Sequence, residues 1–193
     1  DTSEDKIQYV CGVDEAGRGP LAGGVYAAAV ILDPDMPIVG LADSKTLSQT
    51  RREELYLEIT SKSLAYCIAH CDVVEIEQLN ILQATFLAMQ RAIVGLRIMP
   101  SIALIDGNHI PPKLQIKAKA IIKGDSKIAE ISAASILAKV ARDNNMRELD
   151  KQYPNYGFAK HKGYGTREHM AAIKKYGVLP IHRKMFAPIK DFI

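Results

Sequence analysis

Short apolar runs limit what this chain can fold into more than any other feature. Residues 7–13 and 24–32 are nearly continuous in apolar side chains, as in strands that are buried on both faces. Three later segments, 64–73, 101–105 and 115–122, also have strand-like composition. A sheet of such strands needs helices on both faces, so the pattern predicts an α/β fold with a mixed sheet covered by helices.

Helical periodicity occupies much of the chain between and after these strands. The predicted helices cover residues 50–63, 74–96, 128–150 and 166–176. Thr50 and Glu53 form a capping-box pattern that indicates where the first helix begins. The chain contains no internal repeat, and its 193 residues have the size of one domain.

The longest apolar run is far shorter than the ~20 residues that a membrane span requires. The chain starts with acidic and polar residues, which are not typical of a signal peptide. Cys11, Cys67 and Cys71 have no disulfide-framework spacing. These observations predict a cytoplasmic protein without a membrane partner.

Charge is distributed unevenly along the chain, although the formal net charge is only +3. Residues 1–112 carry 8 Lys and Arg against 15 Asp and Glu, whereas residues 113–193 carry 17 against 7. A basic second part is typical of proteins that bind a polyanion, but it is also compatible with two differently solvated faces.

Four acidic residues stand where predicted elements begin or end. Asp14 and Glu15 follow the first strand, Asp106 follows the strand at 101–105, and Asp125 precedes the strongest helix. Strand ends gather at one edge of a sheet, and four carboxylates there suit a hard divalent ion such as Mg²⁺ or Mn²⁺. The alternatives are a solvated strand end for Asp14 and Glu15, and a helix cap or first-turn acid for Asp125.

Two loops combine glycine with cationic side chains. Residues 17–24 lack the Lys-Ser/Thr pair of a Walker phosphate loop, but their glycines allow a ligand to approach the backbone closely. Residues 158–166 interleave aromatic rings, cations and glycines, a composition that suits contacts to phosphates and bases. The alternative is a charged surface loop in which Tyr164 is a packing residue.

Taken together, the ordered motifs resemble the type 2 ribonuclease H family, the ribonuclease HII of bacteria. The matching segments are GVDEAGRGPL at 12–21, DSK at 43–45, NILQAT at 80–85, IDG at 105–107, KGDS at 123–126, ISAASILAK at 131–139 and YGFAKHKGYGT at 156–166. The resemblance continues to His182 and Arg183 and covers nearly the whole chain.

The resemblance implies a ribonuclease H-like fold, in which helices flank a five-stranded mixed sheet and further helices follow toward the C-terminus. It implies a single catalytic domain over 1–193, with a helical substrate-binding extension from about 151–193. The family's metal ligands and catalytic acids correspond to Asp14, Glu15, Asp106 and Asp125. Its ribonucleotide-binding residues correspond to Gly17, Arg18 and Gly19, whose backbone is implied to contact the ribose 2′-hydroxyl, and to Tyr164, implied to stack at the ribonucleotide–deoxyribonucleotide junction.

The activity that the resemblance implies is that of an endoribonuclease with an Mn²⁺ or Mg²⁺ cofactor. Such an enzyme hydrolyses the RNA strand of RNA–DNA hybrids and cuts 5′ of single ribonucleotides in duplex DNA. We expect two-metal hydrolysis that leaves 5′-phosphate and 3′-hydroxyl ends, carried out by a monomer. The residues expected to contact phosphates are Asp43, Ser44, Lys45, Lys160, His161 and Lys162.

Two other functions fit parts of the pattern. A binding module could hold hybrid duplex through the basic second part without any metal or catalysis. A resolvase-like or integrase-like nuclease would also use an acidic cluster, although the Gly17–Arg18–Gly19 segment and Tyr164 disfavour it.

Overall fold

A mixed sheet lies at the centre of the molecule. The computed structural model describes residues 7–41 and 44–193, and within them five strands pair in the order β3-β2-β1-β4-β5. The strands are β1 (Val10–Ala16), β2 (Val25–Ile31), β3 (Ala65–Cys71), β4 (Ile102–Asp106) and β5 (Lys117–Ile121). The pairs β1–β2 and β2–β3 are antiparallel, whereas β1–β4 and β4–β5 are parallel. The five-stranded mixed sheet predicted from the sequence is confirmed.

Helices cover both faces of this sheet. They are α1 (Gln49–Lys62), α2 (Val73–Leu79), α3 (Ile81–Val94), α4 (Gly124–Lys127), α5 (Ala129–Gln152), α6 (Phe158–His161) and α7 (Arg167–Tyr176), with 3-10 turns at Ser44–Thr46 and Ile189–Phe192. Alternate residues of β2 face opposite sides: Ala27 and Ala29 pack toward α3, whereas Ala28 and Val30 pack toward α1 and α5. Both faces are therefore buried, which explains why the strand is a continuous apolar run.

Two helix boundaries differ from the prediction. Helix α1 is capped by Ser48, whose side chain accepts a hydrogen bond from the Arg51 N–H, so the capping box predicted at Thr50 is wrong. The predicted helical stretch at 74–96 is two helices, because Asn80 adopts a φ of 73° and ends α2. The Asn80 side chain then caps α3 through the N–H of Gln83.

The C-terminal segment, residues 156–193, packs against the turn that follows β1, residues 17–24. Leu21 and Ala22 of this turn belong to the same apolar cluster as Phe158 in α6 and Ile173 in α7. A β-bridge joins Ala22 to His182. The predicted C-terminal helices are therefore present, and they contact the glycine-rich turn directly. In the described part of the chain, no helix has the length and apolarity that a bilayer crossing needs.

Gly12 is the position where β1 and α5 approach each other most closely. A methyl group on Gly12 would overlap the backbone of Glu130 and Ile131 in α5. Because both backbones belong to packed elements, we expect Gly12→Ala to lower the free energy of unfolding by at least about 2 kcal/mol. Urea unfolding monitored by circular dichroism measures this loss.

Gly19→Ala is the matched control, since its new methyl group would meet only an ordinary contact, 3.5 Å from Cε1 of Tyr164. Equal stability of the two variants would show that β1 and α5 are not held at this distance.

Candidate active site

The parallel pairing of β1 with β4 brings three carboxylates together. Val13 lies opposite Ile105 in the register of the two strands, so the next residues, Asp14 and Asp106, end up side by side. Oxygen atoms of Asp14, Glu15 and Asp106 all lie within 4.8 Å of one another. Asp14 and Glu15 lie inside β1, rather than after it as predicted, yet both carboxylates reach this cluster.

Burial and mutual repulsion oppose ionisation of this cluster. Burial raises the pKa of Asp14 well above its usual range, and the charges of Glu15 and Asp106 raise it further. The pKa of Asp106 is also raised, mainly by burial, although a hydrogen bond from the Asp125 N–H opposes the shift. A divalent cation removes the repulsion, and oxygen-only donors are those that Mg²⁺ and Mn²⁺ prefer. The three residues therefore fit a divalent-cation site.

Asp125 borders this cluster without joining the group of three. It lies in the first turn of α4, where its backbone N–H donates to Oδ1 of Asp106 at 3.1 Å. Its buried carboxylate lies 3.7 Å from Nζ of Lys45. Asp125 is thus a first-turn acid of the separate short helix α4, which Lys123 caps, and not a cap or first-turn acid of the strongest helix, α5, as the alternative predicted. Its role as a metal ligand remains a prediction.

A cavity of about 520 Å³ opens over the carboxylates. Its lining includes the four acidic residues together with Gly17, Arg18, Gly19, Ser44, Lys45, Arg52, Lys139, Arg142 and Tyr164. The glycine segment and the exposed Tyr164 ring, which are far apart in sequence, therefore meet at the acidic cluster. A space of this size accommodates a nucleotide unit.

Two buried arginines fix the turn that carries the glycine segment. Arg183 donates from Nη2 to the Gly17 carbonyl at 2.6 Å, from Nη1 to the Arg18 carbonyl at 3.0 Å and from Nε to the Gly23 carbonyl at 2.9 Å. Arg142 donates to the Ala22 carbonyl at 3.0 Å. Burial, with repulsion from Arg142, lowers the pKa of Arg183 to about 9.

Sequence reasoning gave neither arginine a role. His182 and Arg183 stand in the family pattern without an assigned role, and Arg142 lies in a helix that is mostly buried between residues 131 and 143. A burial pattern predicted for α5 could have marked Arg142, because it stands on the apolar face. No local pattern marks Arg183.

The cationic residues predicted to contact phosphate have different positions. Lys45 lines the cavity, and so does Ser44, whose buried hydroxyl has no hydrogen-bond partner among the described residues. Lys160 pairs with Glu168 at 3.2 Å, and half-buried Lys162 precedes the Tyr164 loop; neither lines the cavity. Asp43 lies outside the described residues.

His161 is not a phosphate contact, and that prediction is wrong. Its ring is buried, its Nδ1 accepts from the Gly163 N–H at 3.0 Å, and its Nε2 lies 2.6 Å from the Tyr156 carbonyl. Both ring nitrogens are therefore occupied inside the protein. The cationic neighbours in the sequence suggested a surface position, but the Phe158 and His169 rings enclose the imidazole.

Comparison with known proteins identifies the family of this chain. The family model described as Ribonuclease HII matches residues 11–189. The chain belongs to the ribonuclease HII family. It is 60% identical to the ribonuclease HII of Chromobacterium violaceum, over 95% of this chain and 93% of that protein.

Solved structures of related enzymes have the same fold. The ribonuclease H2 of Pyrococcus horikoshii superposes with a TM-score of 0.82 at 27% identity, over 96% of this chain and 97% of that one. Bst-RNase HIII in complex with Mn²⁺ superposes with a TM-score of 0.78 at 20% identity, over 95% of this chain and 68% of that one. The ribonuclease H-like fold expected from the motifs is confirmed.

Membership in this family makes the protein a metal-dependent endoribonuclease that acts on RNA–DNA hybrids. The two rival functions, a non-catalytic binding module and a resolvase-like or integrase-like nuclease, are therefore wrong. The acidic cluster supplies the divalent-cation site that such an enzyme requires.

Asp14→Asn tests the electrostatics of the cluster. Because ionised Asp14 is repelled in the folded state, the amide should raise the melting temperature of the metal-free protein at pH 7 by about 2–6 °C. The same change should shrink the further rise that Mn²⁺ produces and lower hybrid cleavage at least about 100-fold. Differential scanning calorimetry with and without Mn²⁺, together with a cleavage assay, measures these effects.

The exposed Asp35 gives the control, since Asp35→Asn removes a carboxylate outside the cavity. An Asp14→Asn protein with an unchanged metal-free melting temperature and a full Mn²⁺ response would remove Asp14 from the site.

Proposed function

We propose that this enzyme also nicks duplex DNA on the 5′ side of a single embedded ribonucleotide, leaving 5′-phosphate and 3′-hydroxyl ends. The observation that carries the proposal is the proximity of Gly19 and Tyr164 in the cavity over the carboxylates. A methyl group on Gly19 would lie 3.5 Å from Cε1 of Tyr164, and both residues line the cavity. One sugar in this cavity is therefore within reach of a glycine backbone and an aromatic ring.

Arg183 supports a role for the glycine segment in reading the 2′-hydroxyl. In a planar trans peptide the C=O and N–H bonds point in opposite directions. Because the carbonyls of Gly17 and Arg18 point to the buried guanidinium, the N–H groups of Arg18 and Gly19 point away from it. These donors can meet a 2′-hydroxyl, the only group that distinguishes one ribonucleotide from its deoxyribonucleotide neighbours.

Tyr164 supports the selection of the junction. Its side chain is 45% exposed, and its backbone is fixed by hydrogen bonds, so the ring is available to stack on a sugar or base beside the glycine segment. Stacking on an aromatic ring does not depend on base identity, which suits an enzyme that must act wherever a ribonucleotide occurs.

The carboxylates proposed to hold two divalent ions are Asp14, Glu15, Asp106 and Asp125. When bound, such ions supply a nucleophile from water at neutral pH and stabilise the charge that develops at the leaving 3′-oxygen. The Asp125 N–H holds Oδ1 of Asp106 in place, which keeps that carboxylate directed into the cluster.

Phosphate binding is proposed for four side chains near the cavity. Ser44 and Lys45 stand at its edge and would bind phosphates close to the cleaved bond. Lys160 and Lys162 precede Tyr164 in the chain and would bind phosphates farther along the duplex. The basic second part of the chain would then provide affinity that falls with increasing salt.

We also propose that the enzyme works as a monomer in the cytoplasm. The acidic cluster and both recognition segments come from one chain, so the reaction requires no second copy. Cys11, Cys67 and Cys71 are free thiols, as expected in a reducing compartment.

A DNA duplex containing one ribonucleotide tests the proposal directly. We expect a nick 5′ of the ribonucleotide with Mg²⁺ or Mn²⁺, and none with a chelator. Because stacking contributes ~1–3 kcal/mol per base, Tyr164→Ala should lower kcat/KM at this junction by about 5- to 150-fold, and lower it less on a uniform hybrid.

Tyr66→Ala is the matched control, since Tyr66 has a similar exposure, 42%, and lies on β3 away from the cavity. Absence of a nick with either metal would contradict the proposed activity. Equal losses on both substrates would make Tyr164 a packing residue.

A further inference from the structure

Three histidines form a connected chain beneath the Tyr164 loop. The ring centroids of His161 and His169 are 4.3 Å apart, and those of His169 and His182 are 5.1 Å apart. Nε2 of His169 lies 2.9 Å from Nε2 of His182. All three rings are buried, and none of them lines the active-site cavity. The three histidines therefore have no direct part in phosphodiester cleavage.

The hydrogen bonds between Leu179 and Tyr164 show which ring nitrogen carries the proton in His182 and in His169. The Leu179 N–H donates to Nδ1 of His182 at 2.8 Å, so the proton of this neutral ring is on Nε2. That proton is donated to Nε2 of His169, whose own proton must then be on Nδ1. Nδ1 of His169 donates to the Tyr164 carbonyl at 2.8 Å. The three hydrogen bonds thus run in one direction and end at Tyr164.

His161 forms a separate hydrogen-bonded path, which runs from the Gly163 N–H through the His161 ring to the Tyr156 carbonyl. Its Nδ1 accepts from the Gly163 N–H, so its proton is on Nε2 and is donated to the Tyr156 carbonyl. The Gly163 carbonyl in turn accepts from the Leu21 N–H at 2.8 Å, which connects the loop to the glycine-rich turn. The peptide groups on either side of Tyr164 are therefore held by side chains and by that turn in addition to the loop backbone, in which the Tyr164 N–H donates to the His161 carbonyl at 3.1 Å and the Thr166 N–H donates to the Tyr164 carbonyl at 2.8 Å.

Protonation would break this arrangement. A charged His169 would direct two N–H groups at each other across its 2.9 Å contact with His182, and a charged His182 would do so across its 2.8 Å contact with the Leu179 N–H. Burial lowers the pKa of both rings to about 4, and the groups that repel a proton on His182 are His169, Lys184 and His161. Phe158 packs its uncharged ring against all three imidazoles. His169 and His182 are therefore neutral at physiological pH.

We propose that His169 and His182 are positioning residues for substrate selection, because they hold the Tyr164 backbone where its ring meets the ribonucleotide. His169 fixes the Tyr164 carbonyl, and His182 fixes the tautomer of His169. The inference rests on the role proposed above for Tyr164. It goes beyond that role by assigning selectivity to buried residues that do not touch substrate.

Two substitutions at His169 separate its two hydrogen bonds. His169→Asn keeps an amide nitrogen near the position of Nδ1, where it can still donate to the Tyr164 carbonyl. His169→Gln places the amide near the position of Nε2, which retains the contact with His182 and loses the one with Tyr164. Because both replacements are neutral amides at one buried position, each is the control for the other.

The selectivity of each variant is its kcat/KM on the single-ribonucleotide duplex divided by its kcat/KM on a uniform RNA–DNA hybrid, both measured with Mn²⁺. We expect the two variants to differ in this selectivity. His169→Gln should lower this ratio of kcat/KM values by about 10-fold, the upper end of what one hydrogen bond contributes. His169→Asn should keep the ratio within about 3-fold of the original protein, since the bond to Tyr164 is retained. Equal ratios in the two variants would overturn the proposal.

Tyr164→Ala in the same assay distinguishes the two levels of inference. If Tyr164→Ala lowers the ratio but the two His169 variants do not differ, the positioning role of His169 and His182 is overturned and the role of Tyr164 stands. If Tyr164→Ala leaves the ratio unchanged, the role of Tyr164 fails and the positioning role fails with it.

Histidine tautomers in the unsubstituted full-length chain provide a test that does not depend on whether variants fold. Long-range ¹H–¹⁵N correlation spectra at neutral pH should show protons on Nδ1 of His169, Nε2 of His182 and Nε2 of His161. A proton on Nε2 of His169, or a charged His169, would overturn the proposal, because hydrogen bonds would then not be donated from His182 through His169 to the Tyr164 carbonyl.

Discussion

The parallel contact between β1 and β4 is the constraint on which the rest of the structure depends. It places Asp14 beside Asp106 at a point where both are partly or wholly removed from water, where burial raises the pKa of each and the charge of Asp106 raises that of Asp14 further. The surrounding fold must supply the free energy that this repulsion costs in the absence of a cation. The close approach of α5 at Gly12 and the apolar clusters on both sheet faces provide that rigidity. Metal binding and stability are therefore linked: the features that make the site bind a cation also make it costly when empty.

A second set of contacts builds the substrate-facing side of the cavity. It consists of buried polar side chains that end on backbone carbonyls: Arg183 on the turn after β1, Arg142 on that turn and on the Lys162 carbonyl, and His169 on the Tyr164 carbonyl. Such contacts determine the direction of peptide groups, which apolar packing alone does not. Two of the three residues in the segment Gly17–Arg18–Gly19 can therefore lack a side chain while its backbone stays defined.

Features that depend on local sequence were predictable, and features that depend on distant contacts were not. The five strands and the acids at their ends follow from apolar runs and from the rule that parallel strand ends meet at one edge. The cap at Ser48 and the break at Asn80 were missed because several polar residues near each boundary compete for the same role. His161 was misplaced because cations flank it in sequence, whereas its surroundings in space are aromatic rings. Arg183 contacts Gly17 across 166 residues, and no window of sequence contains both.

Arg183 connects two parts of the chain that carry different properties of the enzyme, cation binding in one part and the proposed substrate selection in the other. The carboxylates of the acidic cluster lie between residues 14 and 106, whereas Tyr164 and the imidazoles beneath it lie beyond α5. The guanidinium joins these parts through main-chain carbonyls, which every residue type possesses. Side chains of the turn can consequently change without loss of the connection, and the C-terminal segment can diverge without disturbing the acids. Cutting and the substrate selection that we propose for Tyr164 can therefore evolve at different rates.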